Sequence, residues 1–193
     1  MISTKLMVAA AALIASAAFM NAQDKGGKKQ GPPPMLKIKV ADFADGGKIP
    51  AKFTCAAGQN SPSPAISWSD APAGTQSFVL IMHDPDPVIA NSTTDVLHWA
   101  IFDIPGNAKS LPENVAKGDQ ADGAKQIKNI AGGDGYLGPC PPPGHGDHHY
   151  TLELFALNAK LGLPASTSRQ DLMKAMDGKV LTKGVYIGIF GRN

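Results

Sequence analysis

The chain lacks an excess of charge of either sign: 18 Lys and Arg stand against 16 Asp and Glu, for a formal net charge of +2. That balance excludes the electrostatic footprint of a nucleic-acid-binding protein. It also lacks a long apolar run. The longest, residues 6–19, is about 14 residues, short of the ~20 needed to cross a bilayer. Cysteine is scarce, with Cys55 and Cys140 alone among 193 residues. There is no internal repeat, no βαβ rhythm, and no Ser or Cys in a nucleophile elbow. Charged residues make up 18% and hydrophobic ones 43%, so a disordered chain is excluded too.

Residues 1–22 read as a signal peptide. Lys5 supplies a thin positive start and an Ala-rich apolar stretch follows, with cleavage after Ala22 or after Ala18. No Cys lies near either site, so a lipid anchor is not expected. The chain is therefore expected in the periplasm or secreted, with no transmembrane span once the signal is removed. Residues 23–35, rich in Gly, Pro and Lys, read as a flexible solvated linker, and residues 36–193 as one domain. In an oxidising compartment an even pair of cysteines is more often bridged than free, so a Cys55–Cys140 disulfide is expected. The competing reading is two separate thiols lining a site.

The 16 prolines and 21 glycines favour many short elements over long helices. Residues 36–40 alternate as a half-buried strand does, and residues 65–68 follow a turn cluster. Residues 77–82 are apolar on both faces, as in a strand covered on both sides. Residues 96–104, 150–157 and 184–190 complete the strand set. One helix is expected, capped by Ser168 with Asp171 three residues on, burying Leu172, Met173 and Met176 and stopping at Gly178. The fold class that follows is mainly β, a two-sheet antiparallel, Greek-key-like sandwich with one or two short helices and long functional loops. Residues 105–149 hold no confident strand, and a loop that long in a compact domain is usually functional.

Three segments carry chemistry. Asp84-Pro85-Asp86-Pro87 ends a buried strand, and alternation from Phe78, Leu80 and Met82 puts Asp84 on their side. His98 is almost the only polar group in its strand. Parity places it with Ala100, Phe102 and Ile104, and a carboxylate such as Asp86 would hold it protonated. Residues 135–150 form a Gly/Pro-rich loop, Gly135-Tyr136-Leu137-Gly138-Pro139-Cys140-Pro141-Pro142, followed by His145, Asp147, His148, His149 and Tyr150. Its small residues leave backbone N–H groups bare for an anion, and His148 and Tyr150 share the side of Leu152 and Leu154. His145, Asp147, His148 and His149 could also be metal ligands, but they lack helical spacing, and neither metal nor cofactor is expected. Acid–base hydrolysis is the other alternative, with Cys140 as its only candidate nucleophile.

Taken in order, Phe53-Thr54-Cys55, Asn60 with Ser63-Pro64 and Trp68, Asp84-Pro85-Asp86, His98-Trp99, the Gly135–Pro142 segment and His148-His149-Tyr150 resemble the phosphatidylethanolamine-binding protein family. The likeness is to its bacterial, Raf-kinase-inhibitor-like branch. The resemblance implies a sandwich with a small pocket at one end for phosphate-like anions or phospholipid head groups. Carried over by motif, the pocket residues would be Asp84, Asp86, His98, Cys140, Pro141, His148 and Tyr150. His98 and His148, kept cationic by the Asp pair, would offset a phosphate charge of about −1.5 to −2. This sequence departs from the family pattern in three places. Pro87 directly follows Asp86, His149 stands where the family commonly has Arg, and the chain ends after its last strand, which implies a more open site. The expected function is an exported binding module for a small anion, possible partners including a regulated protein. The alternatives are a hydrolase of phosphate or acyl esters and an inhibitor of a secreted protease.

Overall fold

The structure is a computed structural model that describes residues 31–192 apart from residues 32, 59, 89, 90 and 92. The expected signal peptide and most of the expected linker lie outside the described residues. Ten regular elements follow: β1 (Lys37–Val40), β2 (Gly47–Lys48), β3 (Ile66–Ser69), β4 (Ser77–Asp84), β5 (Val96–Pro105), β6 (Ser110–Leu111), β7 (Lys125–Gln126), β8 (Asp147–Leu157), α1 (Arg169–Met176) and β9 (Val180–Gly191). Every strand expected from alternation is present, with β8 beginning three residues earlier than its apolar pattern. The two-residue strands β2, β6 and β7 are too short to leave a periodic signal, and two of them interrupt the long loop expected over residues 105–149.

A three-stranded sheet, β1-β3-β6, faces a six-stranded one, β2-β9-β8-β4-β5-β7. The pairings are antiparallel except β2 with β9, which is parallel. Between the sheets lie Val40, Ile66, Trp68, Phe78, Leu80, Met82, Trp99, Leu152 and Leu154. The other face of the large sheet packs Val79, Ile81, Phe102 and Phe155 against Leu172 and Met176 of α1. This explains why β4 is apolar on both faces: it is central and covered twice. Ser168 caps α1 as expected, accepting from the Asp171 N–H at 3.0 Å. Met173, however, faces outward and is exposed, because the apolar stripe of so short a helix reaches only Leu172 and Met176.

Cys55 and Cys140 are bridged, with Cα atoms 5.3 Å apart. The bridge fastens the proline loop to the short turn of 3-10 helix at Cys55–Ala57. Cys55 N donates to Pro139 O at 3.0 Å, and the Tyr136 hydroxyl donates to Phe53 O at 2.7 Å. Gly138 is required there: a Cβ would stand 2.9 Å from Phe53 O and collide with the Ser61 hydroxyl.

Candidate functional site

Antiparallel pairing brings the C-terminal end of β4 beside the N-terminal ends of β5 and β8. Asp84 pairs with Val96, and the β4–β8 register, running through His83 with Thr151, places Asp84 next to Tyr150. At this end a cavity of about 270 Å³ opens, its wall including Asp84, His98, Pro141, Pro142, His148 and Tyr150. The remaining wall is largely apolar, with Val96, Ile130 and Leu137.

Asp84 is almost fully buried, and each of its oxygens is used. Oδ1 accepts from Asp86 N at 3.0 Å, and Oδ2 lies 2.7 Å from Nδ1 of His148, itself 2% exposed. The opposite ring nitrogen of His148, Nε2, is 2.8 Å from Nδ1 of His145. An Asp84–His148–His145 chain therefore runs from the buried strand end to the exposed loop. Asp86 is exposed and turns the other way, accepting from the His149 N–H and meeting His149 Nδ1 at 3.1 Å. Among the expected pocket residues Asp86 alone does not line the cavity; it pins the start of β8 instead.

The strand parity that set His98 with Ala100 and Phe102 is broken. Met82 pairs with Trp99 and His83 with Leu97, so one step on β4 spans two on β5, and His98 is the extra residue of a β-bulge. The bulge lets His98 and Trp99 both face inward, while Ala100 and Phe102 pack on the helix side. The His98 ring meets Tyr150 edge-on at 5.1 Å between centroids. The carboxylate expected to protonate it is not its partner. Nδ1 donates to the Leu137 carbonyl at 2.9 Å, and Leu137 N donates back to His98 O at 2.9 Å. Burial lowers the His98 pKa below its ordinary value, outweighing the Leu137 bond and the Asp84 charge. The expectation of a cationic His98 is thus corrected.

Tyr150 is fully buried, with its hydroxyl beside the Asp84 carboxylate. Burial, then the nearby Asp84 carboxylate, pushes its pKa up, so the hydroxyl keeps its proton.

Two contacts escaped sequence reasoning. Arg192, near the chain end, donates from Nε to Pro141 O at 2.5 Å, and its own carbonyl accepts from Gly144 N at 2.9 Å. The loop is therefore held from both sides. His145 caps His148. The Arg192 contact has no local sequence signal, since it joins residues that only tertiary folding brings close, whereas His145 and His148 are near neighbours in one histidine-rich loop. Behind the site, His83 lies 2.5 Å from Asp95 and 3.6 Å from Glu153, Arg169 pairs with Asp95, and Lys183 meets Glu153 at 2.7 Å. The nearby His83 ring, opposed by burial and aided by Lys183, holds the Glu153 carboxyl down at about 2.

Among the described residues, Asp84, Asp86 and His148 offer ligand atoms within 4.8 Å of one another. A cation there would have to displace the proton shared by Asp84 and His148. The four-residue set weighed from sequence does not converge: Asp147 pairs with Lys48, and His149 with Asp86.

A two-sheet β-sandwich with a buried His–Asp pair and a polar-tipped apolar pocket at one end defines a binding-protein fold. A sequence profile described as phosphatidylethanolamine-binding protein matches residues 39–191. The chain is 42% identical over 160 residues to a UPF0098 protein of Aquifex aeolicus, covering 82% of this chain and 90% of that one. It is also 35% identical to a protein of Mycobacterium tuberculosis whose name marks it as a lipoprotein, LppC, covering 79% and 73%. A crystal structure of a phosphatidylethanolamine-binding protein homologue from Chlamydia trachomatis superposes with TM-score 0.73 at 29% identity, covering 82% and 99%. Escherichia coli YbcL shares the fold with TM-score 0.73 at 24% identity, covering 83% and 100%. The chain belongs to the phosphatidylethanolamine-binding protein family.

Proposed function

We propose that this chain is an exported binding module whose pocket takes a small phosphate-like anion, free or as a phospholipid head group, and that it acts on a partner protein. The observation that carries the reading is a small cavity at one end of the sandwich whose otherwise apolar wall brings together Asp84, His98, His148 and Tyr150. Tyr150 brings an O–H and the two histidine rings bring hydrogen-bonding nitrogens, and the apolar wall strengthens their contacts by excluding water. Export is supported by the character of residues 1–22, by the disulfide, and by the lipoprotein name of the M. tuberculosis relative.

Binding is favoured over hydrolysis by a specific observation. Cys140, the single candidate nucleophile in the wall, is bonded to Cys55. The wall includes no Ser or Thr.

The test is a titration of the protein with inorganic phosphate, followed by NMR of the histidine rings. Shifts at His98 and His148 are expected, with little change elsewhere. If neither ring responds at millimolar phosphate, the anion reading is wrong. Steady phosphate- or acyl-ester turnover that His148→Ala abolishes would replace binding with hydrolysis. Recovery of a secreted protease on the immobilised protein, unaffected by His148→Ala, would favour the inhibitor reading.

A further inference from the structure

The proline loop has a second side. Leu137, Gly138 and Cys140, which border the strand-end cavity, also border a separate and larger one of about 440 Å³. Its other walls come from the Cys55–Ser61 segment, from Lys117 and from the turn at residues 129–133. Each wall is fixed. The disulfide joins Cys55 to Cys140, and Cys55 N donates to Pro139 O at 3.0 Å. Asn129 knits the turn: Nδ2 donates to Gly135 O at 3.0 Å, while Oδ1 accepts from Ala131 N at 3.0 Å and Gly133 N at 3.2 Å. A cavity held in shape before binding loses little freedom on taking a ligand.

Ser61 lies in this wall, 8% exposed, and its hydroxyl makes no hydrogen bond to any described residue. Unlike the Tyr150 hydroxyl, its oxygen keeps accessible surface. Glycine at 138 leaves it uncovered, since a Cβ there would collide with the Ser61 oxygen. Beside it, Lys117 Nζ donates to Asn60 Oδ1 at 3.0 Å, which leaves Nδ2 of Asn60 as a free donor. Among the described residues that line the cavity, Lys117 carries the one charge, and there is no carboxylate. The polar groups on offer are therefore an ammonium, an amide N–H₂ and a hydroxyl, all able to donate. Leu137, the Tyr136 ring and the disulfide supply an apolar side; the Tyr136 hydroxyl is already spent on Phe53 O.

We propose that this cavity is a second ligand site, distinct from the strand-end pocket, and that it takes a small organic carboxylate. One positive charge matches one carboxylate, whereas a doubly charged oxyanion would be left half neutralised. The carboxylate accepts from Lys117, Asn60 and Ser61, and the hydrocarbon part of the ligand covers Leu137 and the disulfide. Asn60 and Ser61, which the strand-end pocket does not use, acquire a role by this assignment.

The experiment is amide NMR of the protein titrated with hexanoate and, separately, with hexanamide, which keeps the chain and loses the charge. Hexanoate is expected to shift the N–H signals of Asn60, Ser61 and Gly133, half-saturating at about 1–10 mM. Hexanamide should bind roughly three- to fivefold more weakly, the span of a solvent-screened lysine contact. Lys117→Gln is expected to erase that difference, and Ser61→Ala to weaken hexanoate by about threefold or more. Silence up to about 50 mM, or shifts confined to His98, His148 and Tyr150, overturns the second site. Equal affinity for acid and amide, or hexanoate binding unchanged in both variants, overturns the carboxylate assignment. Should Ser61→Ala not fold, Lys117→Gln, at an exposed position, still decides. The phosphate titration reads different signals, so either site can fail without the other.

Discussion

The Asp84 carboxylate stands 2.7 Å from Nδ1 of His148, and both side chains are buried. A pair this dry is costly to break, because removing one partner strands the other without solvent. Asp84→Asn is expected to lower unfolding free energy by roughly 1–3 kcal/mol and to weaken phosphate binding by releasing the His148 ring. Urea denaturation with and without phosphate measures both effects. Unchanged stability would mean the pair is not formed.

Tyr150→Phe should behave differently. The hydroxyl is buried with only the Asp84 carboxylate beside it and no well-aligned hydrogen bond, so its removal is expected to change the stability of the ligand-free protein by less than about 1 kcal/mol. Phosphate affinity should fall in the same variant. A destabilised Tyr150→Phe would show that the hydroxyl is satisfied in the free protein.

His98 is expected to titrate below the ordinary histidine value of about 6.5, because burial disfavours its cation. The sign for stability follows. An unfolded chain takes up this proton near pH 6.5 and the folded one only at lower pH, so the contribution of His98 falls as pH drops through that window. Ring NMR against pH checks it, and a midpoint above about 6.5 would contradict the dominance of burial.

Glu153 gives the acid limb. Its carboxyl is held at about 2 by His83, against burial and with help from Lys183. Its stabilisation is present above the unfolded carboxylate range near 4.3 and is lost as pH falls toward 2. The stability gap between wild type and Glu153→Gln, about 1 kcal/mol at pH 7 after solvent screening of these partly exposed charges, should close over that interval. A gap independent of pH would assign the loss to packing instead.

The Cys55–Cys140 bridge closes a loop across a separation of 85 residues. Replacing both cysteines with serine is expected to cost about 2–4 kcal/mol by thermal or urea unfolding. Phosphate affinity should fall as well, because Pro141 adjoins the released Cys140.

The sandwich was legible in the sequence because side-chain alternation reports which face of a strand is buried, and the double burial of β4 was written in residues 77–82. Ser168 announced its helix through local cap chemistry, and the two cysteines announced their bridge by number and compartment. The group of residues now found at the strand ends was also legible, as Asp84, His98, His148 and Tyr150. Parity, a rule of two, could not foresee the bulge that slips His98 out of step, since a bulge is set by pairing with Met82 and His83 across the sheet. Nor could sequence tell that the His98 partner would be a backbone carbonyl, which every residue carries alike. The contact from Arg192 to Pro141 likewise exists only once distant segments meet. Composition and local pattern thus determined the elements, the bridge and the chemical inventory of this protein. Tertiary structure decided which nitrogen carries each proton and which group faces the cavity, because protonation and orientation depend on neighbours that are remote along the chain.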